Sequence, residues 1–211
     1  MTEDVKGLTR RERAARTRRK IVDAAATEFR AHGYHGTTMA AIATRAGLAV
    51  QTVYFVFNTK PLLLTAAIDD AVMGSDELPP QDMPWWQESI TTADGRRSLE
   101  LFVTNTARIE KRVATLYRVA QDASTTDPDI IDLIANHDAM RSAGFRQYVE
   151  SLTERELIAA NSDPAEVADV LLTILGSDVY LNFTEARGWS VDHYVSWATD
   201  TLCTLFLRKS G

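Results

Sequence analysis

Cysteine occurs once in the chain, as Cys203, so there is no internal disulfide and no cysteine-based zinc cluster. Its surroundings, Leu202 to Leu207, are apolar at helical spacing and lack a basic neighbour that would lower the thiol pKa. That suits a core or interface residue rather than a redox sensor. The four histidines, His32, His35, His137 and His193, include no i, i+4 pair and have no cysteine nearby. Neither a metal site nor a cofactor is expected. No apolar run reaches the roughly 18 residues that cross a bilayer. The best candidate, Val167 to Phe183, is interrupted by Asp169 and Asp178. The basic N-terminus has no apolar segment behind its charges and does not read as a signal peptide. A cytoplasmic protein with no membrane association is the expectation. Six prolines and ten glycines in 211 residues exclude a low-complexity or collagen-like chain. No Ser-His-Asp set, glycine-rich phosphate loop or carboxylate pair stands out, so the sequence does not read as an enzyme.

Positive charge is scarce in the chain as a whole but not in its first quarter. The chain carries −6 overall, yet residues 1–60 hold eleven Lys/Arg against five Asp/Glu, or +6. Residues 61–211 hold twelve against twenty-four, or −12. Local charge, not the whole-chain balance, is what a phosphate backbone meets. The basic first quarter suits nucleic acid, and the acidic remainder would be turned away from it.

What the chain has in abundance is helical patterning. Residues 1–15 read as a polar arm leading into a basic run, Arg10 to Lys20, which is either a solvated terminus or a source of phosphate and minor-groove contacts. Ile21, Ala25 and Phe29 stripe a first helix expected from about Thr17 to His32, ended by Gly33. Thr38 caps a second helix bearing Met39, Ile42, Ala43 and Ala46. Gly47 breaks the pattern where a helix-turn-helix needs positive φ. In the third helix Val50, Val53, Tyr54 and Phe57 share an inward face, leaving Gln51, Thr52, Phe55 and Val56 opposite. Thr59, Lys60 and Pro61 open a fourth helix.

Beyond it, Gly74, Pro79, Pro80 and Pro84 mark a loop or short helices, with Trp85 and Trp86 tucked below. Asp127-Pro128 and Asp163-Pro164 each start a helix, the second expected to run unbroken to about Ala186, and Ser190 caps the last. No convincing strand and no repeat occurs. The fold class is all-α: an N-terminal three-helix DNA-binding unit with a helix-turn-helix, followed by a larger helical ligand-binding and dimerisation domain. The expected division is an arm at 1–15, the helix-turn-helix unit at 16–58 and the helical domain at 59–211.

Three segments, RKIVDAAATEFRAHGY, GTTMAAIATRAGL and TVYFVFNTKPLLL, together resemble the N-terminal domain of TetR-type transcriptional regulators. The resemblance covers about fifty residues; the rest matches by helical layout alone. It implies a ligand-responsive regulator acting as a homodimer on double-stranded operator DNA, most simply a repressor released by a small apolar or amphipathic effector. It makes Thr38, Tyr54 and Lys60 phosphate contacts, with Arg18 of the basic run added. Gln51 and Thr52 become the base readers, with Val50 and Val56 on the same helix. Tyr54 would offer its hydroxyl while its ring packs inward. Three positions depart from the family pattern: Ala49 lacks the usual Ser/Thr cap, Val56 replaces a common histidine, and Phe55 replaces a frequent tyrosine. Packing against neighbouring helices is the favoured fate of Phe55. Ala41 also lacks the acid that would complete a capping box with Thr38.

Polar or aromatic residues on otherwise apolar stripes are the candidates for an effector pocket: Trp86, Phe102, Thr106, Tyr117, Phe145, Tyr148, Asp178 and Asn182. Ordinary core packing is the competing reading of each. The last two helices, through Leu171, Ile174, Leu175, Trp197, Leu202 and Phe206, would pair in the dimer. An enzyme, or an interaction protein whose helix-turn-helix no longer binds DNA, are the rival classes.

Overall fold

The computed structural model describes residues 9–208. Residues 1–8 of the expected arm lie outside that range, and its residues 10–15 are helix. Helix α1 (Arg10–Gly36) begins at Arg10 rather than near Thr17, because Thr9 caps it reciprocally. The Glu12 amide donates to the Thr9 hydroxyl (3.2 Å) and the Thr9 amide to the Glu12 carboxylate (2.6 Å). The Thr-x-x-Glu signature sat in the sequence ahead of the apolar stripe. At Gly33 the backbone takes φ 66° and ψ −179°, and the helix kinks there. One further turn carries Tyr34 into the core.

Helices α2 (Met39–Ala46) and α3 (Val50–Phe57) meet at 110° across a turn in which Gly47 is left-handed at φ 66°. Thr38 caps α2, accepting from the Ala41 amide, while Ala49 gives α3 no side-chain cap. Helix α4 (Lys60–Met73) follows at once, with Pro61 in its first turn. Two 3₁₀ turns and α5 (Pro84–Thr91) lead into α6 (Gly95–Ser124), a 30-residue helix to which most of the others pack. Then come α7 (Pro128–Glu154), α8 (Pro164–Ile174), α9 (Ser177–Leu181), a π turn at Asn182–Ala186, and α10 (Val191–Phe206). Among the described residues the β pairing is one isolated bridge, Ile158 with Leu207.

The expected single helix from Pro164 to Ala186 is therefore broken. Gly176 is extended (ψ 157°) and starts α9 afresh. The carbonyls freed by the break are taken up by side chains: Tyr194 Oη donates to Ile174 O (2.8 Å) and Arg141 Nη2 to Leu175 O (2.7 Å). The stretch 164–186 is long and apolar enough to cross a bilayer. Here Val167, Ala168, Leu171 and Leu175 are buried inside the chain's own core.

One hydrophobic cluster joins Ile21, Phe29, Ile42, Val53, Leu63 and Ile68 of α1–α4 to Leu116 and Ala120 of α6 and Ile130 of α7. A second lies under α5, α7, α8 and α10. Three residues expected at a dimer interface belong to that second core: Leu171, Leu175 and Leu202 are buried within the chain, turned inward by packing on α6 and α7. Ile174, Trp197 and Phe206 are half-buried at its margin.

Candidate nucleic-acid interface and interior cavity

The helix-turn-helix presents α3 as an outward edge. Val53 and Phe57 anchor it in the core, and Val50 and Val56 pack half-buried beside them. Eight residues give only a narrow buried stripe, and Tyr54 falls outside it at 51% exposed. Its ring does not pack inward as expected. Phe55, expected to pack, is 86% exposed because no neighbouring helix reaches that face. Gln51 is exposed beside it and Thr52 half-exposed. The solvent face of α3 thus reads Gln51, Tyr54 and Phe55, with Thr52 at its edge.

Charge surrounds that face. Arg10, Arg11, Arg13, Arg16, Arg18, Arg19 and Lys20 are all exposed on the first turns of α1. Arg18 stacks over the Phe57 ring at 4.5 Å, which holds a guanidinium against the recognition helix. Arg19 pairs with Glu77, beyond α4. Helices α2, α3 and α4 carry no acid in their first turns, so their amide ends keep the positive dipole uncompensated. Arg45 is spent elsewhere, on the buried Glu28 of α1 at 2.5 Å.

Lys60 is also spent. Its Nζ donates to Tyr34 O (2.9 Å) and Thr37 O (3.2 Å) and sits 4.0 Å from the Tyr34 ring centroid. Burial pulls its pKa down, with Asp127 opposing. The residue expected to meet phosphate here donates to the carbonyls at the end of α1. Tyr34 continues the link: its hydroxyl donates to Asp127 Oδ2 (2.6 Å), the cap of α7.

The second feature is a cavity of about 310 Å³ between α4, α5, α6 and α7. Trp86, Phe102, Thr106, Tyr117 and Phe145 of the expected pocket line it. Tyr148 does not: it lies fully buried behind Phe102, ring on ring at 3.8 Å, its hydroxyl 3.0 Å from Ser98 Oγ. Asp178 and Asn182 do not either. The break at Gly176 turns them outward, to a shallow surface hollow with Arg118 and Glu185.

The same break brings Ser177 into the cavity wall, where its hydroxyl donates to Glu110 Oε2 at 2.6 Å. Glu110 is buried, and Arg141 Nη2 stands 3.4 Å from its other oxygen. Burial pushes this carboxyl up, opposed by Arg141 and Ser177. Tyr117 donates to Asp138, and burial followed by that bond raises the phenol pKa. His137 Nε2 lies 3.2 Å from Asp69 Oδ1 of α4, out of line for a hydrogen bond. Glu110, Ser177, His137, Asp138 and Arg141 were missed in the sequence. A signal existed for Glu110, which follows Thr106 by one turn on a face otherwise apolar.

The lever between the two features is α4. Ile68, Asp69, Val72 and Met73 line the cavity, while Leu63 and Leu64, earlier on the helix, pack in the helix-turn-helix core. Arg112 of α6 grips its last turn, donating to Ala71 O (2.7 Å) and Val72 O (2.9 Å). Arg30 of α1 in turn donates to the Arg112 carbonyl (2.7 Å).

Residues 21–67 match the family model for bacterial regulatory proteins of the tetR family. No curated protein matches the sequence significantly. Solved structures share the fold over most of the chain. A crystal structure described as a TetR-family transcriptional regulator from Mesorhizobium loti shares 21% identity over 95% of this chain and 100% of its own, with a TM-score of 0.72. A transcriptional regulator from Saccharomonospora viridis in complex with choline gives the same identity and score over 92% and 100%. A SmeT–triclosan complex gives 19% identity and 0.70 over 92% and 93%.

Proposed function

We propose that the chain is a TetR-family transcriptional regulator, a cytoplasmic repressor released from its operator by a small apolar or amphipathic effector. The observation that carries this reading is α4, one helix that packs in the DNA-binding core at one end and lines a half-open cavity at the other. A ligand pressing on Val72 and Met73 works against the Arg112 grip and moves α4, and with it the spacing of α3 from its counterpart. Choline and triclosan are bound by chains of the same fold, which supports a ligand role for the cavity.

On DNA, Gln51, Thr52 and Phe55 read base edges and thymine methyls, with Val50 and Val56 seating the helix. Tyr54, Thr38 and Arg18 hold the backbone, and the basic turns of α1 add phosphate contacts. Two copies, paired through outward parts of α8 and α10 that include Ile174, Trp197, Phe206 and the exposed Leu205, place two α3 helices in successive major grooves, about 34–36 Å apart.

Binding-site selection from random duplexes, followed by a gel-shift assay at two salt concentrations, tests the reading. A near-palindromic site whose affinity falls steeply with salt is expected. Failure to retain any duplex defeats it.

A further inference from the structure

Resting on the reading of the cavity as an effector site, we infer that its ligand is a cation: an amphipathic molecule with one ammonium-type charge on an apolar body. Two features of the wall point the same way. The first is aromatic. Trp85, Trp86, Phe102 and Phe145 form one continuous group, with ring centroids 5.8 Å apart for the two tryptophans, 5.9 Å for Trp86 and Phe102, and 5.0 Å for Phe102 and Phe145. All four line the cavity. Ring faces are negative and attract an organic cation more than a neutral group of equal shape.

The second feature is charge. Asp69, Glu110 and Asp138 line the cavity against one guanidinium, Arg141, and one imidazole, His137. Asp69 and Asp138 are where the cavity meets solvent, both with substantial exposure. Arg141 is already taken by Glu110, the Leu175 carbonyl and the Phe145 ring, whose centroid is 5.3 Å away. An anionic ligand that claimed Arg141 would leave Glu110 buried without its partner, a costly exchange. Even with Glu110 protonated, two carboxylates face one guanidinium. Of the two mouth acids, Asp138 accepts from the neutral Tyr117 phenol, and Asp69 stands beside the His137 ring without a hydrogen bond. A cavity of about 310 Å³ keeps any charge inside it within about a Debye length of the carboxylates.

The test uses the full chain and three probes of nearly one shape, followed by isothermal titration calorimetry. They are benzyltrimethylammonium, its uncharged carbon isostere neopentylbenzene, and phenylmethanesulfonate. The cation should bind about tenfold more tightly than either of the others. Asp69→Asn with Asp138→Asn should cut that preference to about twofold and leave the neutral probe's affinity unchanged, which also checks that the cavity is intact. Ile109→Trp fills the cavity and should abolish binding of all three. On the native chain, added salt should weaken the cation and spare the neutral probe. Equal or tighter binding of the sulfonate or the neutral probe overturns the inference. So does a cation preference indifferent to salt or surviving both substitutions, or binding that persists in Ile109→Trp, or no binding of the cation at all. The regulatory reading stands or falls separately, on retention of duplex DNA, a measurement that none of these probes enters.

Discussion

Two side chains at and beside α3 stand in opposite surroundings. Phe55 is a large apolar group left in solvent, where it contributes little to folding. Phe55→Ala should leave the melting temperature nearly unchanged and cost about 1 kcal/mol of operator affinity, lost mainly at sites with thymine under the helix. Selection of sites with the variant and a thermal melt check both halves. Lys60 is the reverse case. Its two hydrogen bonds to Tyr34 and Thr37 carbonyls make Lys60→Ala a stability change of about 1–2 kcal/mol. The slope of log affinity against log salt should stay as in the native chain. A drop of about one unit in that slope would return Lys60 to the phosphates. The sequence showed which residues α3 carries but not how narrow a stripe eight residues can bury, so Tyr54 and Phe55 were both placed too deep. The carbonyl contacts of Lys60 were missed for another reason. Its partners are carbonyls more than twenty positions away, and carbonyls leave no mark in a residue string.

At the level of elements, caps were the most legible feature. Thr38, Thr59, Asp127, Asp163 and Ser190 each cap the helix that their residue type announces. Ala49 is the gap in that series. Ala49→Ser should stabilise the chain by about 1 kcal/mol in denaturant titration, and a null result would mean that α3 is held by Val53 and Phe57 alone. Two boundaries were misjudged. The start of α1 depends on Thr9 and Glu12, polar residues ahead of any apolar periodicity. The break at Gly176 sits inside continuous apolar sequence and is stabilised from outside, by Tyr194 and Arg141. That break decides the cavity's chemistry, since it brings Ser177 to Glu110 and sends Asp178 to the surface. Local propensity could not have located it.

For the whole molecule, the division of charge is an orienting field: a +6 first segment and a −12 remainder admit one approach to DNA. A cavity ligand that weakens the operator must be weakened equally by the operator. The coupling should fall within the usual ~1–3 kcal/mol, measurable as paired titrations of each partner with and without the other. Arg112→Lys, which keeps the charge but loses the fork on Ala71 and Val72, should reduce that coupling more than it reduces either affinity. Matched loss of both affinities with coupling intact would remove Arg112 from the relay.

The core that runs from α1 through α4 into α6 and α7 also bears on engineering and on descent. A graft of residues 9–73 onto another sensor would tear Leu63, Ile68 and their neighbours away from Leu116, Ala120 and Ile130. New specificities are therefore not gained by exchanging ready-made heads and bodies. They have to come from substitutions on the outer face of α3 and on the cavity wall, two surfaces that can drift independently while the shared interior stays fixed.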